Sequence, residues 1–219
     1  VAVGQIALAT QNFTTSTNSY NTGVGYAAGS AITTGTQNTL IGSLAGDAIT
    51  TGIQNVALGM GAFGAATDAD YNVAIGAYAL DADTLGSTTV AVGYGALTTQ
   101  NFTTATNSYN TAVGHLAGTA VTTGVKNTLI GGAAGTNGTD LSTGSLNIGI
   151  GYNTGFSSNN AFQQFVLGVD ISSDQDNQFI FGKPSNTVAN EFDTDNAWTR
   201  SSDIRKKKNI ENSTLGLDF

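Results

Sequence analysis

A short motif that ends in glycine recurs along most of this chain, and its spacing restricts the fold more than any other feature. The motif reads Asn, then Thr or Val, a small residue, then Val, Ile or Leu, and Gly, as in residues 72–76. The motif glycines lie mostly 17 residues apart, with intervals of 21, 20 and 14 as the exceptions, at positions 4, 25, 42, 59, 76, 93, 114, 131, 151, 168 and 182. A fixed short period predicts a solenoid, in which each repeat packs between its neighbours.

A longer duplication lies over the short repeat. Residues 1–46 align without a gap on residues 90–135, and both copies contain the insert Gln-Asn-Phe-Thr-Thr, at 11–15 and at 100–104. This insert accounts for the 21-residue intervals. The repeat unit is therefore one coil, and we predict that the insertions lie in one loop of that coil.

Each motif predicts a short strand followed by a turn. Strand alternation places Val73 and Ile75 on one face. It places Asn72 and Ala74 on the other. The β-branched face suits a buried, pleated surface, and the small-residue face would let another backbone approach closely. An alanine three residues after the glycine, such as Ala79, also recurs, as a crowded position requires. The pattern predicts an all-β fold, a parallel β-solenoid or β-roll of about 17-residue coils.

Stacked coils give equivalent residues a fixed relation to one another. At about 4.8 Å per coil, about eleven coils form a rod of roughly 50 Å. The motif asparagines have two interpretations that the sequence leaves open. They could form a ladder in which each side chain binds the next, or they could occupy turns, because Asn tolerates left-handed backbone conformations.

The small-residue face also motivates an oligomer. Repeat proteins gain stability from interfaces between neighbours and need their ends covered. Three chains packed around an axis would bury the Ala/Gly face. We therefore predict a homotrimer, with the chains intertwined or side by side.

The charge distribution argues against several classes of function. Charged residues make up 10% of the chain, the formal net charge is −8, and the only basic residue before position 183 is Lys126. Nucleic-acid binding depends on neutralising phosphates, so we predict no nucleic-acid partner and no docking on anionic membranes. No apolar run approaches the roughly 20 residues of a membrane span. The chain has no cysteine, and we predict no metal site and no cofactor.

Several residues outside the motif have competing interpretations. The pairs Asp68/Asp70 and Asp81/Asp83 could be glycosidase acids or calcium ligands. A glycosidase needs two carboxylates that converge across a cleft, and the coil register places the two pairs at different azimuths, which favours loop capping. His115 replaces the Tyr26 of the first long copy, and we interpret it as a surface or stacking residue.

Aromatic and threonine side chains give two further alternatives. The aromatic residues in and after the inserts could contact glycans, but local packing over the coil is the favoured interpretation; they are Phe13, Tyr20, Phe102 and Tyr109. Threonine pairs suggest ice binding, at 33–34, 50–51 and 122–123. Adjacent residues of a strand point to opposite faces, whereas an ice-binding plane needs alternate positions.

The repeats resemble the head repeats of trimeric autotransporter adhesins and repeats in bacteriophage tail fibres. Residues 55–59 and 72–76 carry the resemblance, which extends over about residues 1–182. The 17-residue period departs from those adhesin heads, whose coils are somewhat shorter. The resemblance implies a trimeric, left-handed parallel β-roll.

A second resemblance lies in residues 201–210, Ser-Ser-Asp-Ile-Arg-Lys-Lys-Lys-Asn-Ile. This segment is similar to the start of the endosialidase-type intramolecular chaperone domain that ends many phage tail spikes and fibres. The resemblance implies trimerisation, assisted folding and self-cleavage between Ser202 and Asp203. It makes Ser202 the nucleophile and Lys207 the general base, in agreement with the lowered pKa of a lysine among cations.

The same segment has a plainer interpretation. It could be a solvated basic turn before a helix, with Asp203 as the N-cap. The register of serine, aspartate and asparagine favours the chaperone interpretation. Only 17 residues follow the proposed cleavage site, and the family domain is much longer, so we expect only the beginning of such a domain.

These observations predict three regions and one role. Residues 1–182 form the repetitive fibre or head, residues 183–202 a connector, and residues 203–219 the beginning of the chaperone domain. We predict a structural fibre or adhesin segment of an extracellular or virion appendage that attaches to a host or other surface. The predicted partners are two further copies of the chain, a host-surface glycan or protein receptor, and other appendage or virion proteins. Enzymatic activity would be at most single-turnover autoproteolysis; the alternatives are a polysaccharide depolymerase and an ice-binding solenoid.

Overall fold

Successive motifs form one continuous stack of short strands in the computed structural model, which describes residues 1–193 and 199–200. The strands within these residues are β1 (Ala2–Val3), β2 (Thr22–Val24), β3 (Thr39–Ile41), β4 (Val56–Leu58), β5 (Val73–Ile75), β6 (Gly86–Ser87), β7 (Val90–Val92), β8 (Thr106–Asn107), β9 (Thr111–Val113), β10 (Thr128–Ile130), β11 (Ile148–Ile150), β12 (Phe165–Gly168), β13 (Gln178–Lys183), β14 (Asn186–Glu191) and β15 (Thr199–Arg200). None of the described residues belongs to a helix that is long and apolar enough to cross a membrane.

The motif strands pair in parallel and in the register of the repeat. Val73 pairs with Val56 on one side and with Val90 on the other. The main sheet has the order β1-β2-β3-β4-β5-β7-β9-β10-β11-β12-β13, followed by β14 and β15. One repeat is therefore one coil, and the predicted parallel β-solenoid of about 17-residue coils is confirmed.

The inserts lie at one place in the coil, as predicted. In both long copies the second residue of the insert is anchored to the next coil: the N–H of Asn12 donates to the carbonyl of Thr33, and the N–H of Asn101 to the carbonyl of Thr122. After the second insert, β8 pairs in parallel with β6 and forms a separate two-stranded sheet. The extra residues are thus accommodated without a break in the main stack.

The interior of the coil is lined by the small-residue face of each strand. Asn72 and Ala74 are buried. Val73 and Ile75 point outward and are partly exposed. The prediction that the β-branched face is the buried one is therefore wrong for the single chain. Because the interior of a short coil is narrow, four successive coils from β4 to β9 have Ala at the strand centre, beside side chains such as Ala79 from the rest of the coil.

In this narrow interior, a large side chain at one position is matched by a small residue at a neighbouring position. Where the strand centre is large, as at Leu40, glycines lie beside it: a Cβ on Gly29 or Gly46 would come within 2.7 or 2.8 Å of a Leu40 methyl group. Before Ala112 the arrangement is reversed: the position equivalent to Gly29, in the preceding coil, is Leu97, and both Ala112 and Leu97 are buried. The sequence therefore exchanges large and small side chains between positions while the core remains filled.

Left-handed backbone conformations close each coil at regular positions. In one coil the residues with positive φ are Gly76 (127°), Tyr78 (57°), Leu80 (54°) and Thr88 (60°), and the other coils follow the same pattern. The motif position requires glycine for a second reason, since a Cβ on Gly76 would lie 2.5 Å from the backbone of Gly93 in the next coil. Glycine is thus fixed by close stacking as well as by its φ angle.

The parallel stack ends in a hairpin. β14 pairs antiparallel with β13 along its whole length, and Lys183 lies opposite Asn186. This hairpin covers the edge that the last parallel strand would otherwise expose.

Candidate functional site

A ladder of asparagine side chains runs through the interior of the solenoid. The Oδ1 of Asn38 accepts from the backbone N–H of Asn55 at 3.0 Å and from its Nδ2 at 3.1 Å. The Nδ2 of Asn55 also donates to the carbonyl of Ala69 at 2.7 Å. The ladder interpretation is therefore confirmed. Asparagines of this kind lie at positions 21, 38, 55, 72, 110, 127 and 147.

A threonine takes the place of an asparagine once in the ladder, and the second insert supplies the missing hydrogen-bonding group. Thr89 still donates its backbone N–H to Asn72 Oδ1 at 2.9 Å. Its Oγ1 lies 2.6 Å from Ser108 Oγ and accepts from Gln100 Nε2 at 3.1 Å. Gln100 Oε1 in turn accepts from Asn110 Nδ2 at 2.8 Å. The insert therefore supplies the amide that the missing asparagine would have provided.

Asp83 is the charged member of this network. Its carboxylate accepts from Gln100 Nε2 at 2.6 Å and from the backbone N–H groups of Gly86 and Phe102 at 3.0 and 3.1 Å. Burial raises the pKa of Asp83, and the hydrogen bonds from Gln100 and the backbone oppose this shift. The loop-capping interpretation is confirmed for this residue.

Asp68 and Asp70 are also held by the preceding coil. Asp68 Oδ1 accepts from Thr51 Oγ1 at 2.5 Å, and Asp70 Oδ1 accepts from the N–H of Ile53 at 2.8 Å. No cluster of three or more His, Asp or Glu side chains within the described residues could hold a metal ion.

One carboxylate pair escaped the sequence analysis, since its members are 34 residues apart. Asp47 and Asp81 flank Gly64: a Cβ on this glycine would lie 2.7 Å from Asp81 Oδ1 and 3.6 Å from Asp47 Oδ1. Burial raises the pKa of Asp81. Burial is also the main cause that raises the pKa of Asp47, and the charge of Asp81 adds to it against a backbone hydrogen bond. The signal available in the sequence was the coil period, because both residues lie five positions after a motif glycine.

The outward side of the main sheet is a long apolar surface, which we call the outer face. Its first column is half-buried and consists of Thr22, Thr39, Val56, Val73, Val90, Thr111, Thr128, Ile148, Phe165 and Phe179. Its second column is half-buried to exposed and consists of Val3, Val24, Ile41, Leu58, Ile75, Val92, Val113, Ile130, Ile150, Leu167 and Phe181. The two columns contain no charged residue and run the length of the stack. This is the β-branched face that strand alternation predicted to lie inside the coil.

Tyrosine side chains flank the outer face. Tyr20, Tyr71 and Tyr109 precede motif asparagines and are all exposed. The packing predicted for Tyr20 and Tyr109 is therefore wrong, whereas Phe102 is buried and packs as predicted. These tyrosines adopt left-handed φ angles of 51° to 60°.

A row of exposed rings follows the strands at the opposite side of the outer face. Tyr94 and His115 stack with ring centroids 5.4 Å apart, and Tyr78 meets Tyr94 edge to face at 6.2 Å. The prediction of a stacking role for His115 is confirmed. We refer to these three residues as the aromatic corner.

The threonine pairs are part of the coil-to-coil hydrogen bonding. Thr33 Oγ1 donates to the carbonyl of Thr50 at 3.2 Å, and Thr50 Oγ1 donates to the carbonyl of Thr67 at 3.0 Å. These hydroxyls therefore have a structural role between coils.

Phenylalanines gather at the C-terminal end of the outer face. The rings of Phe165 and Phe179 lie 4.7 Å apart, and those of Phe179 and Phe181 lie 5.6 Å apart. Beside them is a groove of about 370 Å³, lined by Leu146, Ile148, Gln163, Phe165, Asn177 and Phe192, among others. The groove is bounded by the turn after β14, where the N–H of Phe192 donates to the carbonyl of Asn177 at 2.8 Å.

The residues predicted for self-cleavage, Ser202, Asp203 and Lys207, lie outside the described residues. Their roles stay predictions.

No family model, no curated protein and no solved structure matches this chain. The class that the geometry defines is a β-solenoid repeat protein with an asparagine ladder inside the coil and a long, largely apolar face outside it. No narrower identity follows from these comparisons.

Proposed function

We propose that this chain is the rod-forming segment of a homotrimeric extracellular or virion appendage that attaches its carrier to a host or other surface. The observation that supports the proposal is the outer face, a continuous apolar strip along the solenoid. Monomeric proteins rarely expose contiguous apolar surface on this scale, and larger patches mark interaction sites. The partner proposed for this surface is the same surface of two further copies.

The dimensions of the outer face favour three copies over two. Eleven strands at about 4.8 Å and three residues at about 3.3 Å give a footprint of about 50 by 10 Å, or about 500 Å². A stable interface buries about 800 Å² per partner. Around a threefold axis, each chain also buries the flanking columns against its two neighbours. The flanking Tyr20, Tyr71 and Tyr109 suit such contacts, because tyrosine is enriched at interfaces.

The attachment role is supported by the surface that such a trimer leaves free. The aromatic corner offers rings in water without a basic patch, which suits uncharged partners such as a host glycan or a protein receptor. A long rod with a repetitive core would hold these sites away from the carrier. Other appendage or virion proteins would bind its ends.

The mass of the intact protein in solution tests the oligomer. Sedimentation equilibrium of the full chain should give three times the 22.2 kDa chain mass. Leu58→Lys, on the outer face, should shift the mass toward the monomer. Leu44→Lys is the matched control, because Leu44 is 40% exposed and Leu58 is 43% exposed, yet only Leu58 belongs to the outer face. A monomeric wild-type protein, or equal masses for the two variants, contradicts the proposal.

Self-cleavage is proposed as the maturation step of this appendage. The Ser202 hydroxyl would attack the carbonyl carbon of its own peptide bond to Asp203 while Lys207 accepts the hydroxyl proton. The C–N bond would then break, the proton would pass from Lys207 to the departing Asp203 amine, and water would hydrolyse the resulting β-lactone to leave Ser202 with a free carboxyl group. Mass spectrometry of the full-length gene product should find the chain ending at Ser202 in wild type and uncut in Ser202→Ala. An uncut wild-type product contradicts this step and leaves the trimer proposal intact.

A second function, polysaccharide hydrolysis, is favoured by one observation, the Asp47/Asp81 pair around Gly64. The Oδ1 atoms of the two residues lie 3.6 and 2.7 Å from the same point, a Cβ placed on Gly64, so the carboxylates are closer together than the about 6.5–9.5 Å of inverting glycosidases and nearer to the about 5–5.5 Å of retaining ones. The raised pKa of Asp81 suits a general acid. Release of reducing ends from surface polysaccharide, lost in Asp81→Asn and kept in Asp68→Asn, would establish it; the absence of turnover in wild type excludes it.

A further inference from the structure

One loop of the solenoid, between β10 and β11, contains the only Asn-Gly pair of the chain, Asn137 and Gly138. Gly138 and the two residues after it are exposed, and a Cβ on Gly138 would have no atom within 4 Å. Just before the pair, the N–H of Thr136 donates to the carbonyl of Thr154 at 3.1 Å, which anchors the loop to the next coil. The pair therefore lies on the solvent side of an anchored loop.

The pair has the groups needed for a spontaneous ring closure between side chain and main chain. Within the part of the chain that the structure describes, neither the side-chain amide of Asn137 nor the N–H of Gly138 makes a hydrogen bond. An N–H group that is already bound must give up its hydrogen bond before its nitrogen can react. Glycine also has no side chain to crowd a new ring, and its backbone tolerates many φ angles. Both reacting groups are therefore free to meet.

We propose that Asn137 is a site of spontaneous deamidation in the folded protein. The nitrogen of Gly138 attacks Cγ of Asn137, the bond from Cγ to Nδ2 breaks, and the amide proton of Gly138 leaves with Nδ2 as ammonia. Water then opens the five-membered imide at one of its two carbonyl carbons. Opening at Cγ gives aspartate at position 137, and opening at the main-chain carbonyl carbon gives isoaspartate. The only co-reactant is water, and the inference does not depend on the proposed trimer.

The conversion changes both the charge and the main chain where the loop contacts the next coil. A neutral amide becomes a carboxylate, in a chain whose formal net charge is already −8. Isoaspartate also adds a methylene group to the main chain. The carbonyl of Asn137 packs so closely on the next coil that a Cβ on Gly155 would overlap it, and Thr139 pairs with Phe156 in an antiparallel bridge. The longer main chain should disturb these contacts.

The chain contains a matched internal control for the role of the N–H group. Residues 17–22 and 106–111 have the same sequence, Thr-Asn-Ser-Tyr-Asn-Thr, and the Asn of each Asn-Ser pair is exposed. In the second segment the N–H of Ser108 donates to the carbonyl of Ser87 at 2.9 Å. In the first segment the N–H of Ser19 makes no hydrogen bond with any residue that the structure describes. The two segments therefore differ in structure and not in local sequence.

Peptide mapping by mass spectrometry follows the conversion at each asparagine. The full chain is incubated at mildly alkaline pH, which favours the attacking amide anion, once in its native state and once in urea. We expect Asn137 to convert first in the native protein, at about its rate in urea. In the native protein Asn18 should convert about tenfold faster than Asn107, whose following N–H is bound, and in urea the two should convert at the same rate.

A variant and two contrary results complete the test. Asn137→Gln would have to form a larger ring, so it should remove the main acidic species that isoelectric focusing detects in the incubated wild-type protein. An Asn137 that stays intact in the native protein while it converts in urea overturns the proposal. Equal native rates at Asn18 and Asn107 also overturn it, because they would show that a free N–H group does not control the reaction.

Discussion

The asparagine side chain is the smallest unit of this fold, and each one connects two neighbouring coils. Asn72 Nδ2 donates to the Gly86 carbonyl at 3.0 Å and to Asn55 Oδ1 at 3.2 Å, while its Oδ1 accepts from the N–H of Thr89 at 2.9 Å. All of these groups are buried. A ladder of this kind specifies which residue lies above which, and so carries the period from one coil to the next.

Asn72→Ala should destabilise the chain by about 2–5 kcal/mol, because it leaves a buried N–H and a buried carbonyl without partners. Urea denaturation followed by circular dichroism measures this change. Asn159→Ala, at an exposed position, is the control and should change stability by less than about 0.5 kcal/mol. Equal stabilities for the two variants would contradict the role of the ladder.

A pair of buried threonines provides a second test at this scale. Thr154 Oγ1 is buried and has no hydrogen-bond partner, whereas Thr89 Oγ1 contacts Ser108 and Gln100. Replacement of each by the nearly isosteric valine therefore has opposite expected signs. Thr154→Val should raise the free energy of unfolding by about 1 kcal/mol, and Thr89→Val should lower it by about 1–3 kcal/mol. Changes of the same sign in both variants would show that hydroxyl bonding does not decide stability here.

The pH dependence of stability follows from Asp83. Its pKa is raised above the ordinary 3.8 by burial, so the folded state binds the proton more tightly than the unfolded state. This contribution is fully present below pH 3.8 and is lost as the pH rises through the raised pKa of Asp83. The free energy of unfolding should therefore fall from pH 3.8 toward neutrality. Asp83→Asn should make the fall in unfolding free energy with pH less steep. Asp140→Asn, at an exposed position, should leave the fall unchanged. An equal dependence of unfolding free energy on pH in wild type and Asp83→Asn would contradict the assignment.

At the scale of the strand, alternation reveals two faces but not which of them is inside. The sequence pattern predicts the face of Val73 and Ile75 in the interior, because β-branched side chains suit buried sheet surfaces. The same pattern also suits a surface covered by another chain. The closure of the coil decides between the two, since it turns the face of Ala74 toward the interior and leaves Val73 and Ile75 outside. Period, strand positions and the alanine column could be predicted, because they depend on repetition alone.

The exchange of large and small side chains between coils could not be predicted from a single motif. It can be tested with a pair of substitutions, made singly and together. Ala112→Leu should cost about 1–3 kcal/mol by overpacking against Leu97. Leu97→Gly alone should cost about 2–5 kcal/mol through the cavity that it leaves. The double variant reproduces the arrangement of Leu40 beside Gly29 and should be more stable than the sum of the two changes predicts. Thermal denaturation of the four proteins measures the coupling, and strict additivity would contradict it.

At the scale of the whole molecule, the repeat predicted the stack of coils, whereas the candidate functional site could be recognised only in the structure. The Asp47/Asp81 pair, the groove beside Phe165 and the outward direction of the β-branched residues all depend on how a coil closes. Left-handed φ angles at residues such as Tyr78 and Thr88 set that closure, and no motif letter encodes them, since several residue types occupy each of these positions. The predicted trimer remains the proposal, but its contact surface is now the outer face instead of the Ala/Gly face.

The rate at which single cysteines are alkylated in the native protein tests this surface most directly. In an isolated chain, Leu58→Cys and Leu44→Cys replace leucines of nearly equal exposure, at 43% and 40%. The outer face of an assembled protein is covered, so the cysteine at position 58 should react at least about tenfold more slowly than the one at position 44. Equal rates in the folded, native protein would show that the outer face stays open to solvent, and would contradict the account of this chain as one member of a trimeric rod.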